Sequence, residues 1–189
     1  MFNLIIFGPP GAGKGTQASK VKELFRLNHI STGELIRREM LSNSSLGQEV
    51  KSFVASGKLI PDELAIQIIK TELINQKSGF IFDGFPRTEK QAKSLDALLA
   101  EFKEEITLVI SLKVSRPELI KRLLLRGRES GRIDDNQRTI EARLKIYSQE
   151  TEPLLEYYRS KNKLAIIDGE GEMSAVFERI KTLISNLIK

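Results

Sequence analysis

Short runs of apolar residues alternate along the chain with longer stretches in which apolar and polar residues follow a helical period. Four apolar runs predict buried strands, and they cover residues 3–7, 79–82, 107–112 and 164–167. A parallel strand that is covered on both faces is apolar throughout, as Leu4-Ile5-Ile6-Phe7 is. Helical periodicity covers residues 15–26, 62–77, 89–102, 118–125, 138–161 and 174–188. This alternation predicts an α/β fold in which helices wrap both faces of a parallel sheet.

Two stretches interrupt the alternation. Residues 31–60 have no strong strand pattern and predict two short helices separated at Ser42-Asn43-Ser44-Ser45. Residues 127–137 are polar, include Gly127 and Gly131, and predict a loop. We therefore expect one domain whose core comprises residues 1–30, 61–126 and 138–189, with a small helical insert at 31–60.

Composition limits the chemistry that the chain can carry. Its 189 residues are 40% hydrophobic and 29% charged, which is typical of a single globular domain. It has no cysteine and one histidine, so disulfides and thiolate metal sites are excluded, and a bound metal must have oxygen ligands. No apolar run is long enough for a membrane span or a signal peptide, so we expect a cytoplasmic protein that does not bind membranes.

Basic residues are concentrated in one part of the sequence. The net charge is +5, and residues 116–145 contribute +4 of it, from nine basic and five acidic side chains. Because the acids are interleaved with the bases and no aromatic stripe accompanies them, we do not expect binding to nucleic acid.

A glycine-rich segment, residues 8–16, follows the first predicted strand and opens the next helix. In such a loop the backbone N–H groups and the helix N-terminus attract phosphate, and Lys14 adds a full positive charge. The alternative, a glycine-rich turn with an exposed lysine, does not account for the strand–loop–helix context. The residues that we predict to contact nucleotide phosphates are Gly11, Ala12, Gly13, Lys14, Gly15 and Thr16.

The position after Lys14 bears on metal binding. It is occupied by Gly15, whereas loops of this type usually have a hydroxyl residue there as a Mg²⁺ ligand. Mg²⁺ would then be held mainly by phosphate oxygens and water, since it dehydrates reluctantly. Asp83 ends an apolar run and would lie at the carboxyl end of a buried strand, where it would orient these waters. Alternatively, Asp83 caps the following turn.

Four segments, taken in order, resemble the signatures of the adenylate kinase family. They are residues 8–16, Ser31-Thr32-Gly33-Glu34-Leu35-Ile36-Arg37, Asp83-Gly84-Phe85-Pro86-Arg87-Thr88 and Ser130-Gly131-Arg132-Ile133-Asp134-Asp135-Asn136. The resemblance implies a P-loop kinase with an AMP-binding insert at residues 31–60 and a short lid at 127–137. It also implies a monomer that converts Mg²⁺-ATP and AMP into two ADP. Because the attacking phosphate oxygen is already ionised, this chemistry needs no general base.

The resemblance also implies roles for individual residues. It places six cations around the transferring phosphoryl group: Lys14, Arg87, Arg122, Arg126, Arg132 and Arg143. It assigns ATP to residues 11–16 and Arg126. It assigns AMP to Thr32, Arg37, Gly84, Arg87, Gln91, Arg132 and Arg143. Without the resemblance, such arginines would be interpreted as a solvated helix face, although Arg122 and Arg126 repel each other one turn apart unless an anion joins them.

Base specificity separates two hypotheses within one reaction class. Relatives that phosphorylate UMP or CMP tend to have alanine at the position of Thr32 and asparagines after the Pro-Arg pair. This chain has Thr32 and Gln91, and a glutamine amide can accept from the adenine amino group and donate to a ring nitrogen. We therefore expect AMP to be the acceptor. A UMP/CMP kinase and a non-catalytic P-loop nucleotide-binding protein are the alternatives.

The lid sequence leaves two alternatives open. Gly127 and Gly131 are either hinges or ordinary turn glycines. Asp134 and Asp135 either pair with lid arginines or cap the helix that begins near Gln137. His29 is expected to pack or to satisfy a backbone group rather than to titrate in function.

Overall fold

The computed structural model describes residues 1–41, 45–73 and 78–188. Within these ranges the strands form one parallel sheet in the order β2-β3-β1-β4-β5. The strands are β1 (Leu4–Phe7), β2 (Asn28–Ser31), β3 (Phe80–Asp83), β4 (Leu108–Lys113) and β5 (Leu164–Asp168). Leu4 lies opposite Ile81 of β3 and Leu108 of β4, so β1 is the central strand. The predicted α/β class with a parallel sheet is confirmed.

Helices cover both faces of this sheet. They are α1 (Lys14–Phe25), α2 (Thr32–Leu41), α3 (Ser45–Ser56), α4 (Asp62–Leu73), α5 (Glu89–Glu101), α6 (Arg116–Ser130), α7 (Gln137–Ile146), α8 (Leu154–Ser160) and α9 (Met173–Leu187). A π-helical turn, Tyr147–Thr151, lies between α7 and α8. No helix within the described ranges combines the length and the apolar character that crossing a membrane requires.

The core has two layers, one on each side of the sheet. In β1, Ile5 and Phe7 pack into one layer, and Leu4 and Ile6 pack into the other. All four side chains are buried, which explains why this strand has no polar position. Burying a large aliphatic or aromatic side chain contributes about 1.5–3 kcal/mol, so β1 is a firm support for the glycine-rich loop that follows it.

The strand β2 was not predicted. It has the sequence Asn28-His29-Ile30-Ser31, lies at one edge of the described sheet, and pairs with β3. Its polar residues have tertiary partners that local patterning does not reveal, since the Asn28 amide donates to the carbonyl of Ser78 (3.1 Å) and to its hydroxyl (2.7 Å).

Two predicted boundaries differ from the structure. The loop predicted at 127–137 is shorter in the structure, because α6 continues to Ser130. Gly131, whose φ is 64°, is the residue that follows the helix. The single helix predicted over 138–161 is divided into α7, the π-helical turn and α8. Pro153 lacks an N–H and therefore prevents one continuous helix.

The insert is helical, as predicted, with α3 ending just before Gly57. Part of the predicted break at residues 42–45 and the predicted helical end at 74–77 lie outside the described residues.

Candidate active site

A cavity of about 490 Å³ lies beyond the carboxyl ends of β1 and β3. This is where open α/β sheets bind ligands. The glycine-rich loop, the insert, the β3–α5 connection, α6 and α7 all contribute to its walls. Every predicted site residue lines the cavity except Ala12 and Arg122.

The glycine-rich loop presents the N-terminus of α1 to the cavity. Gly13, with φ of 88°, precedes α1; within the described ranges no side chain caps this helix, and its first turn has no acidic residue. The helix dipole is therefore uncompensated and favours an anion. A Cβ at Gly11 would lie 2.9 Å from the carbonyl oxygen of Leu119, so only glycine allows the loop to pack so closely against α6. Ala12 is buried, and its N–H donates to the carbonyl of Pro9 at 3.1 Å.

Lys14 is held by the loop itself. Its Nζ donates to the carbonyl oxygens of Gly8 (2.8 Å) and Pro9 (3.1 Å). Burial, helped by the charges of Arg87 and other arginines and opposed by Asp83, lowers the pKa of Lys14 to about 8. Because burial disfavours the ammonium form, a bound anion would stabilise the charge on Lys14.

Three cavity arginines converge on two adjacent carboxylates. Arg126 binds Asp135 through two hydrogen bonds, of 2.6 and 2.9 Å, and Arg132 binds Asp134 in the same way at 3.0 and 2.9 Å. Arg143 donates from Nη1 to the carbonyl of Asp134 (2.8 Å) and to Oδ1 of Asp135 (2.7 Å). The structure thus favours pairing over capping for the two aspartates, and the side-chain cap of α7 is Asn136.

The electrostatics of this cluster follow from its burial. The carboxylate of Asp135 is fully buried. Burial disfavours the charged form of Asp134, but its hydrogen bonds and the charges of Arg143 and Arg132 outweigh this and lower its pKa to about 2. Asp134 therefore remains an anion at neutral pH, and its carboxylate partly neutralises the arginines that surround it.

Arg87 and Arg37 also line the cavity. Arg87 donates from Nε to the carbonyl of Gly84 at 2.7 Å. Burial, followed by the charge of Arg143, lowers the pKa of Arg87 to about 10. Burial and the charge of Arg132 also lower the pKa of Arg37. Because Gly84 has φ of 80° and a Cβ there would lie 3.1 Å from Arg87 Nη2, glycine permits the turn that holds this arginine.

Asp83 lies at the end of β3 and faces the loop. Burial raises its pKa, but the neighbouring His29 and the charge of Lys14 outweigh burial and keep it below its usual value. His29 Nε2 lies 3.7 Å from Asp83 Oδ2, too far for a hydrogen bond, and has no hydrogen-bond partner among the residues that the structure describes. Of the two expectations for His29, packing is met, since its side chain is buried, whereas Nε2 does not bind a backbone group among the described residues. A Cβ at Gly15 would lie 3.2 Å from Asp83 Oδ2, so the glycine leaves room beside this carboxylate.

Arg122 lies outside the cavity. Its Nε donates to Glu118 Oε1 at 2.7 Å, and its Nη1 donates to the carbonyl of Gly169 at 3.2 Å. The ion pair with Glu118 on the same helix offsets repulsion from Arg126. A contact between Arg122 and the transferring phosphoryl group stays a prediction.

Several cavity residues were not expected from the sequence. Tyr147 and Thr151 line the wall at the π-helical turn, and the Thr151 hydroxyl donates to the carbonyl of Arg87 at 3.0 Å. Turns of this kind occur often at functional sites, but the helical periodicity of this stretch gave no sign of one. Gly57 of the insert packs on Arg143, since a Cβ there would lie 3.1 Å from Arg143 Cγ.

A parallel sheet with a phosphate-binding loop, and with buried cations converging on the cavity above it, defines the chain as a P-loop phosphotransferase of the nucleoside monophosphate kinase class. Comparison with known proteins narrows this class. A family model described as adenylate kinase matches residues 6–163. The chain belongs to the adenylate kinase family.

Full-length relatives agree with this assignment. An adenylate kinase of Azobacteroides pseudotrichonymphae is 46% identical over 191 residues, covering 100% of both chains. An adenylate kinase of Phocaeicola vulgatus is 44% identical over 189 residues, covering 99% of this chain and 100% of the relative. An adenylate kinase of a Cyanothece species is 42% identical, covering 99% and 97%.

Proposed function

We propose that this chain catalyses the reversible transfer of the terminal phosphoryl group of Mg²⁺-ATP to AMP, giving two ADP. The observation that carries the proposal is the convergence of Lys14 and four buried or partly buried arginines on the cavity that the glycine-rich loop opens into. These arginines are Arg87, Arg126, Arg132 and Arg143. Fixed cations of this kind stabilise the charge that spreads over a transferring phosphoryl group.

The arginine–aspartate cluster leaves hydrogen-bond donors for phosphate. A guanidinium group has five N–H groups, and the two-point pairs of Arg126 and Arg132 each use two of them. The aspartates orient the planar groups, and the remaining N–H groups bind phosphate oxygens. When nucleotides bind, Lys14 gives up its hydrogen bonds to the carbonyls of Gly8 and Pro9 and contacts instead the phosphates that donate and accept the phosphoryl group.

The AMP side of the cavity is built from the insert and the β3–α5 connection. We assign the AMP phosphate to Arg37 and Arg87, and Gly84 forms the turn that holds Arg87. Thr32 supports a nucleoside subsite, because it lines the cavity and its buried Oγ1 has no hydrogen-bond partner in the described part of the chain. The Gln91 amide, which also lines the cavity, reads the adenine edge.

The ATP side is the N-terminus of α1. Residues 11–16 bind the phosphates through backbone N–H groups and Lys14, and Arg126 reaches them from α6. Arg122, beside the loop that follows β5, belongs to the ATP side and not to the AMP side. The insert (residues 31–60) and the lid (127–137) close over the bound nucleotides and exclude water, which would otherwise compete with AMP as acceptor.

The residues around Asp83 fit a Mg²⁺ ion held largely by water and phosphate. The carboxylate is ionised, and Gly15 leaves space beside it. Within the described ranges, no group of three or more acidic or histidine side chains forms a dedicated metal cage. An ion that keeps several waters and uses one carboxylate suits this arrangement. When bound, Mg²⁺ would neutralise phosphate charge, and Asp83 would orient its water ligands.

Formation of ADP tests the proposal directly. In a coupled assay with Mg²⁺-ATP and one acceptor at a time, we expect AMP to be phosphorylated far faster than CMP, UMP or dTMP. A higher kcat/KM for CMP or UMP would contradict the roles of Thr32 and Gln91. Absence of ADP formation with every acceptor, by a folded protein that binds ATP, would reject a kinase. The cytoplasmic location and the monomeric state stay predictions, and sedimentation of the purified chain tests the latter.

A further inference from the structure

A hydrogen-bond network joins the first residue of α4 to the amide of Gln91. Gln91 Nε2 donates to Asp62 Oδ1 at 2.7 Å, and the backbone N–H of Arg87 donates to Gln91 Oε1 at 2.7 Å. The Thr88 hydroxyl donates to the same Asp62 oxygen at 3.1 Å. Gln91 is only 2% exposed. The amide is thus buried, and its nitrogen and its oxygen each have a hydrogen-bond partner, Asp62 and Arg87 respectively.

The two partners of Gln91 have fixed and opposite hydrogen-bonding character. The carboxylate of Asp62 only accepts, and the N–H of Arg87 only donates. If the amide turned by 180°, its NH₂ group would face the Arg87 N–H and its oxygen would face the Asp62 carboxylate. Two hydrogen bonds would then be replaced by two repulsive contacts in a buried site. The network therefore holds the amide in one orientation.

This orientation leaves the amide able to bind one more group at each end. Its nitrogen has a second hydrogen and its oxygen has a second lone pair. Adenine presents a donor at its 6-amino group and an acceptor at N1, which match the amide oxygen and nitrogen. A 6-oxo purine presents the reverse, with an acceptor at O6 and a donor at N1. It would need the amide orientation that Asp62 and Arg87 oppose.

We propose that Asp62 is a positioning residue that fixes the orientation of the Gln91 amide and thereby sets the preference for 6-amino over 6-oxo purine monophosphates. This inference rests on the proposed contact of Gln91 with the base of AMP. Asp62 is well placed for the task, because it begins α4 directly after the insert. Its negative charge at a helix N-terminus is also favourable.

The experiment compares AMP with inosine monophosphate, which reverses the donor and the acceptor without adding the 2-amino group of a guanine. In Asp62→Asn, the new side chain can donate to Gln91 Oε1 as well as accept from Nε2, so one of the two constraints is lost. We expect kcat/KM for inosine monophosphate relative to AMP to rise about tenfold, while the KM for ATP stays unchanged. Asp62→Ala should shift the ratio in the same direction.

Glu63→Gln is the matched control. Glu63 lies beside Asp62 in the first turn of α4, and its carboxylate pairs with Lys90 rather than with Gln91. This substitution removes the same charge from the same helix end without touching the amide network. We expect it to keep the wild-type ratio of inosine monophosphate to AMP.

Gln91→Ala separates the two levels of the inference. If it lowers discrimination between AMP and inosine monophosphate, but both Asp62 variants keep the wild-type ratio, the role of Asp62 is overturned and that of Gln91 stands. Loss of activity with both acceptors in equal proportion in the Asp62 variants would also overturn it, since that indicates a structural effect only. If Gln91→Ala changes neither the KM for AMP nor the ratio, Gln91 does not read the base and both assignments fall.

Discussion

Arg126 and Asp135 are joined by a two-point ion pair in which Nε lies 2.6 Å from Oδ2 and Nη2 lies 2.9 Å from Oδ1. The carboxylate is fully buried, whereas the arginine side chain is 38% exposed toward the cavity. A charged hydrogen bond of this geometry is stronger than a neutral one and fixes the plane of the guanidinium group. The proposed reaction needs the positive charge of Arg126, and the ion pair with Asp135 fixes the orientation of that guanidinium group.

Asp135→Asn should destabilise the protein and slow catalysis. The amide cannot balance Arg126 and Arg143 together, so the arginines lose their shared counter-charge and their orientation. We expect a loss of about 3 kcal/mol or more in unfolding free energy and a fall in kcat larger than any rise in KM. Urea unfolding and steady-state kinetics measure both effects. Glu141→Gln removes an exposed carboxylate of α7 that pairs with Arg116 and is the control. An unchanged kcat in Asp135→Asn would show that this orientation does not matter.

Lys14 should limit activity at alkaline pH. Because its pKa is lowered from 10.5 to about 8, the free enzyme loses this positive charge as the pH rises through 8. We expect kcat/KM for ATP to fall above about pH 8. The contribution of Lys14 to the free energy of unfolding should rise between pH 8 and 10.5, because the unfolded chain binds more protons there than the folded chain does.

Lys14→Arg is the informative comparison for this pH dependence, because arginine remains charged over the whole range. Its activity should be lower but should lack the alkaline decline. Lys14→Ala should reduce turnover roughly a hundredfold. An alkaline decline of the same midpoint in Lys14→Arg would assign the titration to another group.

Arg87→Ala should impair AMP much more than ATP. The guanidinium group donates to the Gly84 carbonyl and lines the cavity, as does Arg37. Loss of a buried, charged phosphate contact costs on the order of 2 kcal/mol or more, which corresponds to at least a tenfold higher KM for AMP. Arg116→Ala, at an exposed ion pair with Glu141, should leave both KM values unchanged. Equal effects on ATP and AMP would contradict the assigned position of Arg87.

Gly127→Ala should destabilise the protein although alanine is the better helix former. Intrinsic propensity favours alanine by about 1 kcal/mol. However, a Cβ at this position would lie 2.6 Å from the carbonyl oxygen of Asp135, which is backbone and cannot move freely. Displacement of Asp135 would disturb its arginine partners, so we expect a lower Tm and a lower kcat. Ser130→Ala, on the exposed end of α6, should change the Tm little. A higher Tm for Gly127→Ala would show that Asp135 can shift without cost.

The parts of the fold that depend on local pattern were predictable. β1 is apolar at every position because both faces are covered, and the loop after it has its glycines where the backbone requires them. The edge strand β2 was missed because Asn28 and His29 make it polar, and its pairing with β3 depends on residues about fifty positions away.

The candidate site was predictable residue by residue but not as a network. Motif and resemblance pointed to Lys14, Arg87 and Gln91, which do line one cavity. The hydrogen-bond partners of these side chains could not be predicted from the sequence. The hydrogen bond from Gln91 to Asp62 joins two helices that no local signal relates, and the contact of Gly57 with Arg143 depends on how the insert packs on α7.

The two carboxylates that accompany Arg126, Arg132 and Arg143 leave this group of five side chains with a net charge of only +1. Three bare guanidinium groups would attract a polyphosphate strongly and would also delay its departure. Because Asp134 and Asp135 cancel most of this positive charge, the cluster binds a departing ADP less tightly. Weaker binding suits a reaction that runs in both directions, because ATP and AMP as well as two molecules of ADP must be able to dissociate.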